Sequence, residues 1–133
     1  MNDIKYIPVS DIMKENIQKI DGLANVSEAI KMMKDAGSGS LIVDKRNAQD
    51  EYGLISIGDL AAKVISPDFA PERISAYQVM TKPVLSVESD MNIRYAIRLL
   101  TRFEISRALV LKEGRAVGIV SLRDMVLRYA DEN

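Results

Sequence analysis

Apolar and polar positions along this chain follow one plan twice. Val26, Ala29, Ile30 and Met33 recur at helical spacing after Asn25, which predicts a helix opening there, with Asn25 and Glu28 spaced as a capping box. Gly37 and Gly39 are expected to stop it. Short apolar runs at Leu41 to Val43 and Leu54 to Ser56 read as strands around the polar turn Lys45 to Glu51, a hairpin, and a second helix is predicted over Ile57 to Val64. A brief helical turn at Val9 to Met13 and a strand from about Ile17 to Ile20 precede this set. The second half repeats it. A turn spans Ala76 to Met80, a strand Val84 to Val87, and a helix Asn92 to Arg102 with Ile93, Ala96, Ile97 and Leu100 inward. Strands over Ala108 to Leu111 and Ala116 to Val120 and a last helix over Leu122 to Tyr129 complete it. Each half therefore reads β-α-β-β-α, a mixed α/β (α+β) class.

The residues repeat as well as the pattern. Gly53-Leu54-Ile55-Ser56-Ile57-Gly58-Asp59-Leu60 reappears as Gly118-Ile119-Val120-Ser121-Leu122-Arg123-Asp124-Met125. Such self-similarity decides the architecture before any other feature is read. Upstream, Ile12-Met13 matches Val79-Met80, Asn25-Val26 matches Asn92-Ile93, and Val43 matches Val110, all at an offset of 67 residues. The offset falls to 65 by Gly53, which places two extra residues of the first copy in a surface turn, where added length costs little. The expected organisation is a first repeat over residues 1–65, a linker over 66–73 marked by Pro67 and Pro71, and a second repeat over 74–133. About 65 residues would bury only a marginal core alone, so the two repeats are expected to form one module.

Composition narrows the function. With 47% hydrophobic and 28% charged residues the chain has the make-up of a globular domain. No apolar run exceeds Ala108 to Leu111, so neither a spanning helix nor a secretory signal is predicted and a cytoplasmic location is expected. A net charge of −1 argues against broad attraction to nucleic acid or to an anionic membrane. Histidine and cysteine are absent, which removes the commonest general base and the soft metal ligands. Leu54 stands where a nucleophile elbow needs glycine, and no dedicated acidic cluster for a metal is visible, so enzymatic activity is not expected.

In the repeated signature, a serine at a strand end and an aspartate three residues on place a hydroxyl and a carboxylate beside the unpaired amides of a helix start. One reading is a capping box, with Ser56 or Ser121 as the cap. The other is a ligand site, in which the carboxylate of Asp59 or Asp124 accepts two hydrogen bonds from a vicinal diol while serine and amides face a phosphate. Gly37-Ser38-Gly39-Ser40 is not a phosphate loop, because its glycines precede a strand instead of following one. Arg94, Arg98 and Arg102, four apart, read as a solvated helix face.

The duplicated signature and the repeated β-α-β-β-α order, covering about Val9 to Ala130, resemble the CBS-domain family, whose members are commonly tandem pairs forming a Bateman module. The resemblance implies repeats packed about a pseudo-twofold axis, with clefts between their sheets that bind adenosine-containing ligands and signal by conformational change. It places Asp59 and Asp124 on ribose, with Ser56 and Ser121 beside them and Arg123 next to Asp124. Arg107 is placed on phosphate; its counterpart in the first repeat is Ser40, which predicts unequal sites. Lys14 to Ile17 and Thr81 to Val84 match the stretches that meet adenine, with Ile17, Val84 and Met80 as candidates to sandwich the ring and Thr81 among the contacts, although core packing is the better reading of any single one. No resident cofactor is implied; the expected ligand is AMP, ADP, ATP or S-adenosylmethionine. A homodimer is expected, with a regulated partner protein, without a membrane and without nucleic acid. The alternative is a dimerisation or docking module for an enzyme or transporter, in which both aspartates only cap helices.

Overall fold

Asn25 opens the first long helix: its side-chain oxygen accepts from the Glu28 amide at 2.9 Å, and α1 runs over Val26–Ala36 until Gly37, in the left-handed region at φ 63°, ends it. The cap is one-way, not the reciprocal box its spacing suggests. Val26, Ala29 and Met33 face inward and are buried, while Ile30 is only partly covered. In the computed structural model, which describes residues 5–82 and 84–132, α1 crosses over between two parallel strands, β1 (Lys19–Ile20) and β2 (Ser40–Val43). β2 then pairs antiparallel with β3 (Gly53–Ser56), so that Ser40 lies opposite Ser56. The second sheet has the same plan. β4 (Ser86–Glu88) is parallel to β5 (Arg107–Lys112) across α4 (Ile93–Arg102), and β5 pairs antiparallel with β6 (Arg115–Ser121), with Arg107 opposite Ser121.

Three expectations need correction. The strand expected over Val84 to Val87 runs instead over Ser86–Glu88, since Leu85 ahead of it gives the ladder only its carbonyl, which accepts from the Leu109 amide at 3.0 Å. The strand expected over Ile17 to Ile20 is confined to Lys19–Ile20, because the Ile17 amide bonds back to the Glu15 carbonyl at 2.8 Å and bends the chain just ahead of it. The helix expected over Ile57 to Val64 is α-helical only in α2 (Ile57–Leu60); Ala61–Ile65 then widens into a π turn, closed by the Ser66 amide on the Ala61 carbonyl at 2.8 Å. Leu60 and Val64 still reach the core through it. The corresponding helix of the second repeat, α5 (Leu122–Glu132), is regular throughout.

The two extra residues of the first repeat do fall between its hairpin strands, as the offset predicts. Glu113 (φ 53°) and Gly114 (φ 78°) close β5 and β6 in two residues of left-handed backbone, the conformation a tight hairpin requires. In the first repeat the strands end sooner, at Val43 and Gly53, and the intervening loop is tied down by Asp50, which is paired with Lys82 and accepts from the Arg46 amide at 2.8 Å.

The chain forms two units that do not follow the repeat order. One is Gln18–Val84; the other joins the residues up to Ile17 with those from Leu85 onward. Around the first sheet, Leu41, Val43 and Ile55 pack with Val26 and Met33 of α1 and with Ala76 and Val79 of α3 (Ala76–Val79). Around the second, Val110 and Val120 pack with Ile93, Leu100 and Met125, and with Ile7 and Val9 at the opening turn Val9–Asp11. Each core is thus completed by the opening turn of the other repeat. Arg94, Arg98 and Arg102 are all exposed on α4, the solvated face their spacing predicts. Among the described residues no helix is long and apolar enough to cross a membrane.

Candidate functional site

β3 and β6 are the outer strands of their sheets, and both signature motifs lie at their ends. The segment following an opening turn covers each open edge. Thr81 and Leu54 exchange two backbone bonds, of 2.8 and 3.0 Å, and Lys14 and Ile119 exchange two of 2.8 and 3.1 Å. Leu54 is two residues before Ser56 and Ile119 two before Ser121. Thr81 is therefore held beside the motif of Ser56 and Asp59, and Lys14 beside the motif of Ser121 and Asp124, where β5 also brings Arg107 opposite Ser121.

The signature glycines make this approach possible. A Cβ on Gly53 would stand 2.6 Å from the sulfur of Met80, and one on Gly118 would stand 2.6 Å from the sulfur of Met13 and 3.0 Å from the Lys14 carbonyl oxygen. A side chain at either position would have to push the methionine aside, and at Gly118 the Lys14 carbonyl as well. The two methionines end the opening turns, so glycine in the motif is a docking notch for the turn of the other repeat.

Beyond the notch the two sites differ. Ser56 caps α2 by accepting from the Asp59 amide at 3.1 Å, and Asp59 answers: its Oδ2 accepts from the Ser56 amide and from the Ser56 hydroxyl, both at 3.0 Å. Lys63 Nζ lies 3.5 Å from Asp59 Oδ1 and donates to the Val79 carbonyl at 3.0 Å. Ser121 likewise accepts from the Asp124 amide, at 3.0 Å, but among the described residues no donor reaches the Asp124 carboxylate. Both capping and an open acceptor thus occur in the same motif, one in each repeat. Arg107, the first residue of β5, is exposed opposite Ser121 and forms no ion pair among the described residues. Its counterpart Ser40 is buried opposite Ser56, with its carbonyl accepting from the Ser38 hydroxyl at 2.9 Å. Arg123 is exposed at the first turn of α5, and Ile17 and Val84 are half-buried.

Chemically, the second repeat offers a carboxylate that meets no donor among the described residues, a serine and the amides of a long helix start, with a guanidinium across the hairpin. The first repeat offers a carboxylate already engaged, with Ser40 in place of the guanidinium across its hairpin. Spacing alone did not single out Lys63, although it is four residues from Asp59 and on the same helical face. A separate surface depression, near Tyr6, Ser10, Asp90 and Lys112, lies toward the other end of β5 and contains none of the predicted residues.

The family model for the CBS domain matches residues 9–66 and again 76–131. A hexameric CBS-CP12 protein from bloom-forming cyanobacteria superposes with a TM-score of 0.86 at 32% identity, over 92% of this chain and 71% of that one. The CBS domain pair of protein MJ0100, solved with 5′-methylthioadenosine and S-adenosyl-L-methionine, shares the fold at a TM-score of 0.80 and 18% identity, over 97% of this chain and the whole of that one. An uncharacterized protein of Methanopyrus kandleri is 27% identical over 125 residues; this chain spans 63% of its length. With two family matches laid over two copies of the same β-α-β-β-α plan, this chain belongs to the CBS-domain family, as a tandem pair.

Proposed function

We propose that this CBS pair is a regulatory module that binds adenosine-containing nucleotides and signals by changing conformation. The observation that carries the reading is the open carboxylate of Asp124, held beside Ser121 at a helix start with Arg107 across the hairpin. A ribose diol fits such an acceptor, and a phosphate fits the amides and the guanidinium. In this reading Asp124 and Asp59 take ribose, Ser121 and Ser56 lie near phosphate, Arg107 and Arg123 supply charge, and Ile17, Thr81 and Val84 line the base. A structural neighbour of the same fold carries 5′-methylthioadenosine and S-adenosyl-L-methionine, which supports an adenosyl ligand; AMP, ADP and ATP are the phosphorylated candidates. The module acts without catalysis, in the cytoplasm, as a homodimer that reports to a partner protein, with repeats at 1–65 and 74–133. Ligand regulates it only by favouring one arrangement, since equal affinity for both shifts nothing.

Calorimetric titration with AMP, ADP, ATP and S-adenosylmethionine tests the reading. Saturable binding is expected, and Asp124→Ala should weaken it by about 1.5–3 kcal/mol through loss of hydrogen bonds to a charged acceptor. Unchanged affinity in a folded variant would overturn the assignment. A docking module is the second reading, favoured by the exposed apolar side chains Val126 and Leu127 on α5 and Ile65 and Phe69 after α2. A stable dimer that binds none of the four compounds would support it.

A further inference from the structure

The two signature aspartates are engaged to different degrees: Ser56 and Lys63 both reach Asp59. Oδ2 of Asp59 already accepts two bonds from Ser56, and the ammonium of Lys63 stands at Oδ1. A carboxylate has about four lone-pair directions, so little of Asp59 remains for a diol that needs two. At Asp124 the corresponding acceptors are open among the described residues. We infer that Lys63 is a lock on the first site, so that the chain takes one adenosine ligand at Asp124 and admits a second at Asp59 only when Lys63 is displaced. This rests on the nucleotide-binding reading and adds to it an order of occupancy.

Lys63 is more than a surface charge resting near a carboxylate. An exposed pair at that distance would be weak by itself, and its side chain is almost half exposed. Its second bond, at 3.0 Å, goes to the carbonyl of Val79 at the last residue of α3, where helical carbonyls lack partners within the helix. One ammonium thereby ties Asp59 to the opening turn that leads, two residues later, into Thr81 on the edge of β3. That is the ground between the ribose acceptor and the segment expected to meet the base. The backbone around the lock is distinct too. Lys63 sits in the π turn Ala61–Ile65, whereas the position four residues after Asp124 is Arg128 on regular helix. A separate observation points the same way: the first site has Ser40 where the second has Arg107, so it offers a phosphate no guanidinium to offset the displacement of Lys63.

The test is the number of sites per chain, read by calorimetry on the full chain with AMP, ADP, ATP and S-adenosylmethionine titrated separately. Wild type is expected to bind its best ligand at one site, and Lys63→Met, which keeps the aliphatic stem, at two. Lys63→Gln, which keeps a donor for Val79 but loses the charge, should also bind at two, and a thermal melt of each variant verifies folding. Asp124→Ala should weaken binding by wild type about 10- to 150-fold, yet in the Lys63→Met background leave the site at Asp59 unweakened. Two equivalent sites in wild type, or a single site in both folded Lys63 variants, would overturn the lock while leaving the nucleotide reading intact. Loss of the wild-type site in Lys63→Met would also overturn it, by showing that Lys63 holds ligand. Absence of binding by all four compounds in wild type and both variants would overturn the nucleotide reading, and the lock with it.

Discussion

Gly118 has a methionine sulfur and a backbone carbonyl where a Cβ would go, at 2.6 and 3.0 Å. A methionine can turn aside, but the Lys14 carbonyl is fixed by its bridge to Ile119. Gly118→Ala should therefore cost about 1–3 kcal/mol of stability in urea unfolding. Gly53→Ala should cost less, since its nearest backbone neighbour, the Thr81 oxygen, is at 3.4 Å. Equal losses would mean that the methionines alone set the cost. The same residue scale explains why Asp59 and Asp124 could not be told apart by inspection. Each follows a serine by three positions and precedes a basic residue by four, Lys63 or Arg128, so spacing allows either to close on itself. The closure at Asp59 depends on Val79, brought to Lys63 by tertiary structure, which spacing does not announce.

Among the elements, the loop joining β2 and β3 is the place where the repeats depart most in length, and one carboxylate anchors it. The hydrogen bond from Lys82, then those from the Arg46 and Glu51 amides, hold the Asp50 carboxyl well below the ordinary carboxylate range. A depressed folded pKa stabilises the protein above the unfolded value, near 3.9, and that contribution is lost as pH falls through the folded one. Asp50→Asn should accordingly lower the unfolding midpoint at neutral pH, with the gap to wild type narrowing as the pH is taken into strong acid. A gap independent of pH would show that the anchor does not depend on charge. Element types and order were legible because apolar spacing differs so clearly between helix and strand: Val26, Ala29 and Met33 inward on α1, Ile93, Ala96 and Leu100 on α4. The ends were less so. Nothing in the run Ile57 to Val64 distinguishes a regular helix from one that widens at Ala61, and the bend at Ile17 is a backbone bond to Glu15 that no side chain announces.

For the whole molecule, the lesson is which turn serves which sheet. Val9-Ser10-Asp11 and Ala76-Tyr77-Gln78-Val79 occupy the same place in their repeats, so the sequence is silent on whether each stays with its own strands. The cores answer that they do not: Val9 is fully buried with Val110 and Leu100, and Val79 with Val43 and Ile55. Val9→Ala should then cost about 2 kcal/mol and speed hydrogen exchange in β5 and β6, while amides of β2 and β3, nearer in sequence, keep their protection. Faster exchange in β2 and β3 instead would contradict the exchanged arrangement. Because each sheet needs a turn that its own repeat has given away, half of this chain is a self-complementary unit: two copies of one repeat could satisfy each other, whereas a single copy would be left with an empty notch at its glycine and an orphaned methionine. A chain severed between Ser66 and Arg73 would divide into two pieces of that kind, each incomplete without the other.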